Sequence, residues 1–167
     1  YSRALTIPET WKGRRITLDL ERCHWETRVW LDGREIGSAN SLATPHVYDL
    51  TAQATPGKHR LSIRVDNRIL IGVGINAHSV SDHTQSNWNG LVGDLALQAA
   101  SPVWIYNVQV YPDLQARKAR VVVALGKATG AAADGTLTLE ASCGDHRVAS
   151  EPLAVRVDSS GGKVEAA

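Results

Sequence analysis

The run Asp82-His83-Thr84-Gln85-Ser86-Asn87-Trp88-Asn89-Gly90 gathers a carboxylate, an imidazole, two hydroxyls, three amides and an indole within nine residues. Amides and carboxylates hydrogen-bond hydroxyl groups, and an indole offers a flat apolar face. Held at the end of a rigid scaffold, that combination reads a polyhydroxylated ring. The same side chains serve equally well to cap their own loop's backbone, with Trp88 closing the end of the domain. The residues alone leave both roles open, and Asp82, His83, Gln85, Asn87 and Trp88 are candidates for recognition rather than for bond cleavage.

Other chemistry has less to stand on. His78, Asp82 and His83 are ordinary metal ligands in type, but their spacing matches no zinc signature, so a hydrogen-bonded loop is expected and no metal site. Gly72-Val73-Gly74-Ile75-Asn76-Ala77 matches the glycine pattern of dinucleotide binding. That pattern works because a helix N-terminus holds the pyrophosphate, and His78-Ser79-Val80-Ser81 continues with no helical periodicity, so no cofactor is expected. There is no Gly-x-Ser-x-Gly elbow and no His-Glu-x-x-His. Seven Glu and ten Asp sit mostly at alternating strand positions or in turns. Nothing in their spacing pairs two carboxyls about 5 Å apart, as cleavage of a glycosidic bond with retention requires. No catalytic residue is expected in this chain.

The elements that must position the loop are strands. Ile16, Leu18 and Leu20 alternate with Thr17, Asp19 and Glu21; Leu61, Ile63 and Val65 alternate with Ser62, Arg64 and Asp66; Leu137, Leu139 and Ala141 alternate with Thr138 and Glu140. Turn signals separate such runs at Lys12-Gly13, Asp32-Gly33, Pro56-Gly57, Asn89-Gly90, Asp134-Gly135 and Gly144-Asp145. Asp32-Gly33 between Thr27–Leu31 and Arg34–Ile36 predicts a tight hairpin with a type I′ turn. Alternation puts Trp25, Thr27, Val29 and Leu31 on a core face. Trp30 projects from the other, either packed under a neighbour or exposed as a stacking platform. No amphipathic helix longer than about three turns is evident.

Composition bounds the class. Of 167 residues, 43% are hydrophobic, and the longest unbroken apolar run, Val121 to Leu125, is far too short to span a bilayer, so no membrane is expected as partner. Before Ser101 there are 11 basic and 10 acidic residues, and from Ser101 on 7 and 7, so neither part makes the basic field that nucleic-acid binding needs. Phe and Met are absent, leaving Trp, Leu, Ile and Val as the large core anchors. Cys23 and Cys143 are too few and too far apart for a disulfide framework and read as two buried free thiols. Near Ala100-Ser101-Pro102 the chain changes from Trp-, His- and Asn-rich to Val- and Ala-rich. That predicts a boundary between an all-β unit over 1–100 and a second, incomplete one over 101–167. The tail Ser159-Ser160-Gly161-Gly162-Lys163 reads as a turn or linker.

Taken in order, six motifs resemble the sugar-binding domain of glycoside hydrolase family 2, to which bacterial β-galactosidases belong. They are Tyr1-Ser2-Arg3 with Leu5-Thr6-Ile7-Pro8; Trp11-Lys12-Gly13-Arg14-Arg15; Val29-Trp30-Leu31-Asp32-Gly33 with Gly37; Tyr48-Asp49-Leu50-Thr51; Arg64-Val65-Asp66-Asn67; and Trp88-Asn89-Gly90-Leu91-Val92-Gly93. Val103-Trp104-Ile105-Tyr106-Asn107-Val108-Gln109-Val110-Tyr111-Pro112-Asp113 resembles the start of the immunoglobulin-like domain that follows in that family.

The resemblance implies an all-β chain, with a jelly-roll-like β-sandwich followed by a partial immunoglobulin-like β-sandwich. It also implies a non-catalytic fragment of an exo-acting β-glycosidase. In that family both catalytic glutamates lie in a (β/α)₈ barrel, the acid/base in an Asn-Glu dipeptide, and this chain has no Asn-Glu. Its partners would be the terminal sugar of a β-linked glycoside and the barrel of its own parent chain. The family's loop before the Gly-Ile/Leu strand often offers an acidic residue to that sugar; here Thr84 falls about there, with Asp82 two residues earlier. Similar polysaccharide-processing enzymes are often exported, which favours a periplasmic or secreted location. A free-standing carbohydrate-binding or adhesion module is the alternative reading.

Overall fold

The computed structural model describes residues 1–69, 72–78, 80, 81, 83, 84, 88–128 and 130–166. Among the described residues, fourteen strands and one short 3-10 turn make up the regular structure, and the chain divides into two compact units, Tyr1–Ala100 and Ser101–Ala167.

The first unit contains β1 (Ser2–Ile7), β2 (Arg15–His24), β3 (Glu26–Leu31), β4 (Arg34–Asn40), β5 (His46–Asp49), β6 (Gly57–Asp66) and β7 (Gly90–Ala100). They form a four-stranded sheet in the order β1-β6-β3-β4 and a three-stranded sheet in the order β5-β2-β7, all pairs antiparallel. Alternation explains why the two sheets pack face to face as a β-sandwich. Ile16, Leu18 and Leu20 of β2 and Thr27, Val29 and Leu31 of β3 are buried in a core shared with Ile7, Tyr48 and Ile63. Trp25 is buried as its face predicts, and Trp30 on the opposite face is half-buried.

The Asp32-Gly33 hairpin forms as expected, with positive φ at both residues (51° and 81°), the requirement of a type I′ turn. Asp32 also ties the hairpin to β6: its carboxylate accepts the Arg60 amide proton at 2.7 Å and lies 2.6 Å from His59 Nδ1. Inside the sandwich, Thr27 Oγ1 lies 2.6 Å from His46 Nδ1 and 2.5 Å from the Tyr48 hydroxyl, which donates to the Thr27 carbonyl. Buried polar groups thus find one another. Burial pushes the Cys23 thiol up to about 11, beyond reach of neutral-pH thiolate chemistry.

The second unit contains β8 (Val103–Asp113), β9 (Lys118–Lys127), β10 (Ala133–Leu137), β11 (Glu140–Cys143), β12 (His146–Ala149), β13 (Leu153–Val157) and β14 (Gly162–Ala166). A three-stranded sheet β14-β9-β8 and the pairs β10-β13 and β11-β12 surround a small core of Val123, Leu125 and Val157.

Two expectations fail in this unit. Asp134-Gly135 is no turn: both residues lie inside β10, paired with Arg156 and Val155 of β13, and neither has a positive φ. The cross-strand ion pair of Asp134 with Arg156, 3.2 Å, occupies the carboxylate that a turn would have used locally. Cys143 is exposed rather than buried, because it closes the β11-β12 hairpin, all of whose residues are exposed. The tail turns at Ser159-Ser160 and runs on into β14 against β9.

Candidate functional site

Three chain segments converge at one end of the first sandwich. β2 ends at His24, which pairs with Gly90 at the start of β7. The next residue, Trp25, donates its amide proton to the Asp66 carbonyl at the end of β6. This junction therefore places His24, Asp66-Asn67 and Trp88-Asn89 together.

Trp88 meets His24 edge to face, with ring centroids 5.3 Å apart and planes at 64°. Trp88 is 39% exposed, so it remains partly in solvent while packing against the imidazole. His24 itself is buried, tilted against Trp25 with centroids at 5.8 Å. Beside Trp88, Asn67 Nδ2 donates to Asn89 Oδ1 at 2.9 Å. These amides line a cleft of about 410 Å³ with Tyr1, Arg64 and Gly90. Asp66 is committed elsewhere: the Arg68 guanidinium and amide bind its carboxylate and hold it at about 2, well below the usual carboxylate range.

Of the residues the sequence singles out, Trp88 stands at this junction. His83 is exposed, and its amide proton is held by Ser81 Oγ at 3.2 Å, while the Thr84 hydroxyl donates to the Ser81 carbonyl. Both His83 and Thr84 are thus tied to Ser81 by local hydrogen bonds. Asp82, Gln85 and Asn87 lie outside the described residues. Among the described residues no three His, Cys, Asp or Glu side chains are grouped to hold a metal. Sequence reasoning passed over His24, Asn67 and Asn89 as site residues. Asn89 was in view within the loop, whereas His24 reaches the site only through the pairing of β2 with β7.

This fold recurs in solved structures. A glycosyl hydrolase family 2 member from Bacteroides cellulosilyticus superposes with a TM-score of 0.70 at 17% identity, covering 99% of this chain and 22% of that one. Bacteroides uniformis β-glucuronidase 2 gives 0.69 at 17% identity over 98% of this chain and 20% of that one. The Bifidobacterium dentium β-glucuronidase gives 0.60 at 16% identity over 99% and 32%. Among curated sequences, a β-galactosidase of Halalkalibacterium halodurans is 23% identical over 114 residues, 68% of this chain. The chain spans 11% of that relative's length. No protein-family model matches the chain. The resemblance to glycoside hydrolase family 2 is borne out as a shared, all-β fold that makes up a fraction of each of these proteins.

Proposed function

We propose that this chain is a non-catalytic part of an exo-acting β-glycosidase of the β-galactosidase-like kind, shaping the rim of the active site and recognising the terminal sugar. In this reading Tyr1–Ala100 is the jelly-roll-like sugar-binding domain and Ser101–Ala167 part of an immunoglobulin-like one. The observation that carries it is the match of nearly the whole chain to about a fifth of family 2 structures. Trp88 would stack on the apolar face of the sugar ring. Asp82, His83, Gln85 and Asn87 would bond its hydroxyls, and carboxylates on a barrel outside this chain would break the bond.

Two surfaces support the rest of the parent chain as partner. On β8, which among the described residues pairs only with β9, Ile105, Tyr106, Val108 and Val110 are exposed. In the first unit an apolar cleft of about 810 Å³ opens beside β1 and β7, lined by Leu5, Leu18, Leu61, Ile63, Leu95 and Leu97 among others. Aliphatic walls suit polypeptide better than sugar.

The test is saturation-transfer NMR on the 167-residue chain with methyl β-galactoside, β-glucuronide and β-mannoside. Transfer to at least one is expected, lost in Trp88→Ala with an unchanged circular dichroism spectrum. No transfer, or transfer indifferent to that substitution, overturns the recognition role. Hydrolysis of an aryl β-glycoside that disappears on changing a Glu of this chain overturns the non-catalytic one. The exposed indole beside the Asn67–Asn89 pair also fits the alternative, a free-standing carbohydrate-binding module, which shares the same contacts and needs no barrel.

A further inference from the structure

His24 is 5% exposed, and among the described residues neither Nδ1 nor Nε2 has a hydrogen-bond partner. An imidazole always carries at least one N–H donor, and in its neutral form one acceptor as well. Leaving such groups buried and unmade is costly, so native structures rarely keep them. The other buried histidine shows the ordinary outcome: His46 Nδ1 meets Thr27, and Nε2 lies 3.0–3.1 Å from the Ser41 carbonyl oxygen and amide nitrogen.

What distinguishes His24 is its place. It packs against Trp88, the partly exposed ring at the junction of β2, β6 and β7. Its other ring neighbour is Trp25, which is buried. A polar group unsatisfied in the free protein and covered by one partly exposed ring is suited to a ligand that supplies the missing bonds. A sugar hydroxyl, able to donate and accept, can supply the bond missing at one of the two nitrogens.

We infer that His24 is a recognition residue of the carbohydrate site, hydrogen-bonding sugar hydroxyls once the Trp88 indole turns off its imidazole. The inference deepens the sugar-binding reading above and rests on it. Trp88 supplies the apolar face and His24 the directional contact, so the site selects for the hydroxyl pattern as well as for a ring.

The test compares wild type, Trp88→Ala and His24→Phe in the full 167-residue chain, reading saturation transfer to the three methyl β-glycosides and thermal unfolding without ligand. Phe keeps a ring against Trp88 and removes both nitrogens. Replacing an orphaned polar group by an apolar one of similar shape is neutral or stabilising. The expected signature is therefore a split: His24→Phe unfolds at or above the wild-type temperature yet loses about ten-fold or more in sugar affinity. A merely structural histidine moves both readouts the same way. If the larger ring prevents folding, His24→Leu makes the same comparison. Wild-type affinity in the apolar variant overturns the role of His24 while leaving the sugar-binding reading intact. Absence of transfer in the wild type overturns that reading, and this inference with it.

Discussion

The Glu21 carboxylate accepts the Asp94 amide proton at 2.7 Å and occupies the space that a side chain at Gly93 would need. A β-bulge between Leu20 and Arg22 brings the two strands into this relation, and Gly93 answers it with a φ of 84°. A Cβ there would lie 2.1 Å from Glu21 Oε2. The bulge interrupts the alternation of β2, after which Cys23 and His24 are both buried.

Gly93→Ala is therefore expected to cost about 1–2 kcal/mol for the left-handed backbone and more for the displaced Glu21 hydrogen bond. Gly13→Ala, at φ 72° with nothing within 4 Å, is the control and should show the backbone part alone. Thermal unfolding of both variants checks this, and equal losses would refute the contribution of Glu21.

In the second unit the Trp104 indole lies across Gly126, its partner on β9, with Cζ2 2.4 Å from where a Cβ would stand. Gly126→Ala must push the indole off the strand, at a cost on the order of 1–3 kcal/mol for overpacking. Near-ultraviolet circular dichroism should report the displaced Trp. An unchanged spectrum and unfolding temperature would contradict the packing of the indole across Gly126.

Two histidines set opposite pH slopes. Burial holds His46 below its usual 6.5, despite a Ser41 hydrogen bond that favours the charged form. The unfolded chain then takes up its proton first, and stability falls as pH drops below about 6.5. His59 is raised instead: burial opposes its charge, but the hydrogen bonds to Asp32 and the Thr55 carbonyl outweigh it. Its contribution is complete below 6.5 and is lost as pH rises through the folded value. Unfolding temperature plotted from pH 5 to 8.5 should pass through a maximum near 6.5. His59→Gln should flatten the alkaline side only, and a variant that flattens both sides would contradict the assignment.

Local periodicity made much of the first sandwich legible. Ile16, Leu18, Leu20, Val29 and Leu31 alternate without interruption, and Asp32-Gly33 is a turn signal backed by two required positive φ angles. Asp134-Gly135 carries the same dipeptide and forms a strand, because its partner Arg156 is 22 residues away and no local pattern announces it. The site divides along the same line. Trp88 stands out within a polar loop, whereas His24 lies at the end of β2, beyond a β-bulge. Its place beside Trp88 arises from the pairing of β2 with β7, a long-range relation that composition and spacing do not encode.

The central claim is that this chain works as one part of a larger β-glycosidase. The most direct measurement is the intact mass of the natural protein, detected in its source with an antibody raised against these 167 residues. The account predicts a species several-fold heavier than 18.0 kDa, co-migrating with β-glycosidase activity. A species near 18.0 kDa, without that activity, would contradict it and leave a carbohydrate-binding module.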